Sequence, residues 1–115
     1  MNTIDKKLED IEALWLSAEK WLLIWQGKQR DKGRADCACC ELSTRRNGFS
    51  ISCLYCPILR HTGINDCRGT PYMDWIGAAV QWWLPANTPE QKAAAEAEYR
   101  FLVGLALKFA DEVAK

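Results

Sequence analysis

The sequence is poor in the residues that most enzymes use. It has a single histidine, His61, and it lacks an H-x-E motif, paired histidines and a glycine-rich phosphate loop. Metal-assisted hydrolysis, base deamination and phosphoryl transfer therefore have no ready set of side chains. The chain also lacks net charge, since fifteen Lys and Arg balance fifteen Asp and Glu. No global field draws it to nucleic acid or to an anionic membrane. No apolar run approaches bilayer length. The longest apolar stretches, LWLSAEKWLLIW and FLVGLALKFA, are broken by charges. The opening residues, MNTIDKKLEDIEALW, hold no cleavable apolar segment, and no Asn-x-Ser/Thr site occurs. A cytoplasmic location with no membrane partner is expected. Lasting disulfides are rare in such a reducing compartment.

What the chain does have is six cysteines and six tryptophans among 115 residues. The hydrophobic fraction of 49% and charged fraction of 26% are those of a globular protein. The length suits a single domain, residues 1–115, whose modest core would benefit from a staple.

Helical patterning flanks a cysteine-rich middle. Over residues 4–27 the apolar positions Ile4, Leu8, Ile11, Trp15, Ala18, Leu22 and Trp25 recur in steps of four and three, which predicts one face of a helix. Leu14, Trp21 and Ile24 widen the stripe, and Gly27 suits a left-handed C′ end. Thr70-Pro71 predicts the start of a shorter helix over 71–84, which Pro85 stops. Thr88-Pro89-Glu90-Gln91 contains a capping box and predicts a long helix over 89–114, with a seam of Ala95, Tyr99, Leu102, Ala106, Phe109 and Val113. The expected fold class is mainly α. Two long helices and one shorter one form a three-helix core, with a zinc-binding loop or hairpin module, residues 36–68, inserted between the first and second.

Within that module Cys37 and Cys40 form one C-x2-C pair, and Cys53 and Cys56 form another. A tetrahedral zinc has Zn–S bonds of about 2.3 Å, and a C-x2-C turn can bring two sulfurs to one ion while its amides point at them. Asn47-Gly48, followed by alternating Phe49, Ile51 and Cys53, predicts a hairpin between the pairs. The expected cofactor is one zinc ion on Cys37, Cys40, Cys53 and Cys56, with Cys67 or His61 as substitutes. Iron is the less favoured metal.

The string Cys37-x2-Cys40, Cys53-x2-Cys56-Pro57-Ile58, Thr62-Gly63, Cys67-x-Gly69-Thr70-Pro71-Tyr72-x2-Trp75 resembles a group of small uncharacterised proteins encoded in tailed bacteriophages and prophages. The resemblance covers about a third of the chain, residues 36–75. It implies a phage setting in a bacterial host and a cysteine module with Cys67 as a regular member. It implies no activity. Cys39 is an addition to the pattern and is left out of the expected metal site.

No nucleophilic cysteine has a base fixed beside it in sequence, so no catalytic residue is assigned. Two binding roles remain. Residues 28–68 carry eight basic groups against four acids, and Arg45, Arg46, Arg60 and Arg68 are candidate contacts to nucleic acid. The favoured reading is contact with a host protein, such as a defence system or a machine the phage takes over. Trp21, Trp82 and Trp83 are the candidate partner residues, because adjacent helical tryptophans diverge by about 100° and cannot both be central in a small core. Self-association through the same tryptophans, a homodimer, is the variant of this reading.

Overall fold

The computed structural model describes residues 3–31, 36–48, 55–63, 70–78 and 88–114. In chain order the helices are α1 (Thr3–Trp25), α2 (Ala38–Arg46), α3 (Pro57–Thr62), α4 (Tyr72–Ala78) and α5 (Pro89–Ala114). The protein is mainly α, and no strand occurs among the described residues. None of these helices is long and apolar enough to cross a membrane.

The long helices end where local chemistry ends them. Gly27 adopts φ 75°. Its N–H reaches the Ile24 carbonyl at 3.0 Å, and the Lys28 N–H reaches that of Leu23 at 2.9 Å. This double closure satisfies carbonyls that the last turn of α1 would leave without partners. At the start of α5 the Gln91 N–H donates to Thr88 Oγ1, and the Thr88 N–H donates to Gln91 Oε1, each at 3.1 Å. That is the reciprocal capping box the sequence predicts.

α1 packs along α5, and α4 packs on α5. Trp25, at the end of α1, meets Tyr99 in the first half of α5, with ring centroids 6.3 Å apart. Near the start of α1, Asp10 binds Arg60 of α3, whose neighbour His61 lies against Lys108, late in α5. The two long helices therefore run antiparallel.

The buried face of α1 keeps part of the expected stripe, Leu14, Ala18, Trp21 and Ile24, and adds Asp10, Ala13, Ser17 and Lys20, whereas Leu8 and Trp15 of the seam are 51% and 42% exposed. On α5 the buried set is Gln91, Ala94, Ala95, Glu98, Leu102, Leu105 and Ala106, so Ala95, Leu102 and Ala106 sit where the seam places them. Tyr99 and Phe109 are partly buried against the core.

Trp21, expected to face a partner, is buried instead. It is 4% exposed and packs edge-on against Tyr72 at 5.6 Å and Trp75 at 5.4 Å. Edge-to-face contact sets the positive ring edge against a neighbour's negative face. Trp21 thus joins α1 to α4 and is not available to a partner. Trp82 and Trp83 lie outside the described residues.

The module between α1 and α4 is helical where the structure describes it. α2 occupies Ala38–Arg46, where a hairpin is expected. Asn47-Gly48 is not a strand turn here. It ends α2, with the Asn47 N–H on the Ser43 and Thr44 carbonyls at 3.0 and 3.1 Å and Gly48 at φ 65°. The charges favour this outcome. Glu41 stands in the first turn and Arg45 and Arg46 in the last, each complementing the helix dipole.

Replacing Trp21 by alanine should cost about 3–5 kcal/mol in urea denaturation, as for other buried large-to-small changes. Trp15→Ala should shift stability by no more than about 0.5 kcal/mol. Equal costs for the two would show that the buried and exposed faces of α1 are misassigned.

Candidate metal centre

Two helix starts and the middle of α1 bring the described cysteines together. Cys37 is the N-cap of α2, and its sulfur accepts the Cys40 N–H at 3.4 Å. Cys56 is the N-cap of α3, with Pro57 at the first helical position. The Tyr55 N–H donates to Ser43 Oγ at 2.9 Å and so ties the entry of α3 to α2. Ser17 of α1 donates its hydroxyl to Cys39 Sγ at 3.5 Å.

Within this frame the thiols form a continuous network. Cys39 hydrogen-bonds with both Cys37 and Cys56, and Cys40 hydrogen-bonds with Cys37. Cys39 is 0% exposed and Cys56 is 4% exposed. The Cys39 and Cys40 thiols hold Cys37 well below the ordinary thiol range against the effect of burial, assisted by the Cys40 N–H and the Lys20 charge. The Cys39 thiol likewise lowers Cys56, helped by the Leu59 and Ile58 N–H groups. Cys39 is itself raised well above that range by its bonds to Cys37 and Cys56 and by burial. The shifts therefore run in opposite directions along the network. Cys39, which the sequence pattern leaves aside, sits at its middle.

A second polar group adjoins Cys37. Lys20 Nζ lies 2.8 Å from Asp31 Oδ1 and 2.7 Å from Asp36 Oδ1. The Tyr72 hydroxyl donates to Asp31 Oδ2 at 3.1 Å. Burial lowers the Lys20 pKa, but the nearby carboxylates of Asp31 and Asp36 outweigh it and the net shift is upward. Glu98 of α5 faces the same region and is 2% exposed. Burial, then the negative charge of Cys37, pushes its pKa up to about 8 against hydrogen bonds from the Tyr72 N–H and the Thr70 side chain. Glu98 Oε2 is buried with no hydrogen-bond partner among the described residues.

Of the expected metal ligands, Cys37 contacts Cys40 directly and is linked to Cys56 through Cys39, while Cys53 and Cys67 lie outside the described residues. His61 is exposed on α3, with Nδ1 3.4 Å from Lys108 Nζ and its ring 6.2 Å from that of Phe101, so its contacts are with α5. Among the described residues, no group of three or more His, Cys, Asp or Glu side chains is arranged to hold a metal ion. The donor type is nonetheless one that a soft cation takes, because several sulfurs share one network.

Three of the arginines expected at a nucleic-acid interface turn toward α1. Arg46 Nη1 bonds Asp10 Oδ1 at 2.7 Å, and its Nη2 reaches the Lys6 carbonyl at 3.0 Å. Arg60 pairs with the other Asp10 oxygen, and Asp10 is fully buried. Arg45 is exposed and lies 3.6 Å from Glu9. Arg68 lies outside the described residues. Sequence periodicity missed Asp10, Ser17, Lys20 and Glu98 because polar residues lower the apolar signal of the faces they occupy.

Neither a protein-family model, nor a curated protein, nor a solved structure matches the chain.

Two outcomes follow from these polar contacts. Asp10→Ala leaves two guanidinium groups facing an emptied site and should cost about 3–5 kcal/mol in chemical denaturation, whereas Glu9→Ala should cost less than about 1 kcal/mol. Glu98 retains a proton in the folded state that the unfolded chain releases near 4.5. Its contribution to stability is therefore complete below that pH and falls as pH rises toward about 8. The slope is at most about 1.4 kcal/mol per pH unit. Glu98→Gln should flatten this dependence and raise the melting temperature at pH 8 while leaving it little changed at pH 5. An unaltered pH profile in the variant would show that Glu98 is ionised in the fold.

Proposed function

We propose that this protein is a small, metal-stapled helical protein that works by contact with another protein. The observation that carries the reading is the sulfur network. Cysteines from two helix N-termini converge against α1, and the central thiol is inaccessible to solvent. A buried network suits a structural ion better than a nucleophile, which needs access and a neighbouring base. Zinc is the favoured ion. Cys37, Cys40 and Cys56 would supply ligands, completed by Cys53 or Cys67, and the ion would hold the middle of the chain in one conformation. An apparent binding energy on the order of 10–16 kcal/mol for structural zinc peptides would be comparable to the entire stability of a domain this size.

The resemblance of residues 36–75 to tailed-phage proteins supplies the setting. In that setting the partner is a protein of the bacterial host, such as a defence component. Nucleic-acid binding is the weaker reading. Arg46 and Arg60 are engaged with buried Asp10 and would have to leave it to reach phosphate.

Protein made in a reducing cytoplasm should contain one zinc per chain. A strong chelator should lower its melting temperature by about 10 °C or more. Tagged protein from a bacterial host should recover the same host protein repeatedly, and Cys37→Ser/Cys56→Ser should lose both zinc and that recovery. An unchanged melting curve after chelation removes the staple. Recovery of nucleic acid alone, with steep salt dependence, replaces the protein partner by DNA or RNA.

A further inference from the structure

The exposed face of α1 has a composition of its own. Leu8, Trp15 and Leu16 are 51%, 42% and 51% exposed. Glu12 and Glu19, also exposed, stand among them. At 100° per residue these five side chains fall within an arc of roughly 100°, and they span about 17 Å along the axis. No lysine or arginine of α1 falls in that arc. Large apolar groups are normally withdrawn from a surface or scattered over it, so their concentration on one stripe marks a contact face. The purely acidic polar groups on the stripe restrict what can cover it.

We infer that this stripe of α1 is the docking surface for a basic amphipathic helix of the partner protein. The inference rests on the reading of the chain as a protein that works by contact, and it names the surface and the class of partner. A helix bearing leucine-like residues at i, i+3, i+4 and i+7 would seat them around Trp15, between Leu8 and Leu16. Lysine or arginine flanking that seam would face Glu12 and Glu19, giving complementary charge at the rim and an apolar centre. A second copy of the chain fits less well, because like stripes would bring acid against acid. Anionic lipid and nucleic acid are repelled for the same reason.

The probe is a fluorescein-labelled helical peptide of eighteen residues with leucines on one face and lysines flanking them. It is compared with a twin in which glutamate replaces lysine. Anisotropy titrations into the full chain, with zinc content measured on the same samples, should show binding of the lysine peptide and not of its twin, weakening as salt rises. Trp15→Ala and Glu12→Lys/Glu19→Lys should each weaken binding at least tenfold. Because these positions are exposed, circular dichroism and melting should be unchanged in both variants. Absence of lysine-peptide binding, equal binding of the two peptides, or binding indifferent to these substitutions overturns the inference. So does a concentration-dependent dimer abolished by Trp15→Ala, or binding of the chain to phosphatidylglycerol vesicles through this face. Zinc-loaded protein that ignores the peptide sinks the docking surface and leaves the staple standing. Zinc-free protein that binds it does the reverse.

Discussion

A single buried ammonium fixes where the cysteine segment meets the helical pair. Lys20 projects from the last third of α1 and binds Asp31, beyond the end of that helix, and Asp36, one residue before Cys37. Both ends of the intervening connection are thereby held to one point. Cys37 cannot move away from α1 without uncovering a lysine that is 7% exposed. Removing one partner of such a group costs far more than a surface pair contributes, so the arrangement selects one geometry more than it adds stability. Lys20 also explains its surroundings. Two carboxylates already outnumber the one cation, and Cys37 adds negative character. Burial first, and then the charge of Cys37, pushes the pKa of neighbouring Glu98 upward, so a charge there is disfavoured.

A second clamp works toward the other end of α1. Asp10 accepts from Arg46 at the end of α2 and from Arg60 in α3. The two clamps hold the cysteine module along α1 from both sides, and the thiol network lies between, against Ser17. α1 is thus the spine of the molecule. One face takes α5, α4 and the module, and the exposed face carries Leu8, Trp15 and Leu16. The basic residues that make residues 28–68 look suited to nucleic acid are in part internal counter-charges to this helix.

Much of the helical plan was legible, because it depends on local chemistry. Gly27 closes α1 and the Thr88–Gln91 box opens α5 through contacts spanning a few residues, so their signals are complete in the sequence. The face of α1 follows its periodicity only in part, for the opposite reason: Leu14, Ala18, Trp21 and Ile24 are buried as the stripe predicts, but Leu8 and Trp15 are not. Two registers of apolar residues compete along it. The one through Leu8 and Trp15 looks purer because the true face contains Asp10, Ser17 and Lys20. Those polar residues are buried because Arg46 and Arg60, Cys39, and Asp31 and Asp36 come to meet them. Periodicity along one helix holds no information about partners up to fifty residues away. The hairpin failed similarly, since Asn-Gly supplies a positive φ that a helix C-terminus can use as readily as a strand turn.

Cys39 shows where motif spacing stops being a guide. C-x2-C describes which sulfurs a short turn can aim together, and by that rule Cys37 pairs with Cys40. Once Cys37 caps α2, however, the helix places Cys39 and Cys40 in successive directions about 100° apart. One must face inward and the other toward the rim. Cys39 takes the inward position, 0% exposed beneath Ser17 and between Cys37 and Cys56. A metal bound to the C-x2-C pair would also meet Cys39, which bonds with Cys37. α2 carries Arg46 as well, which holds buried Asp10. The position of these thiols and the clamp on α1 are therefore coupled through one nine-residue helix.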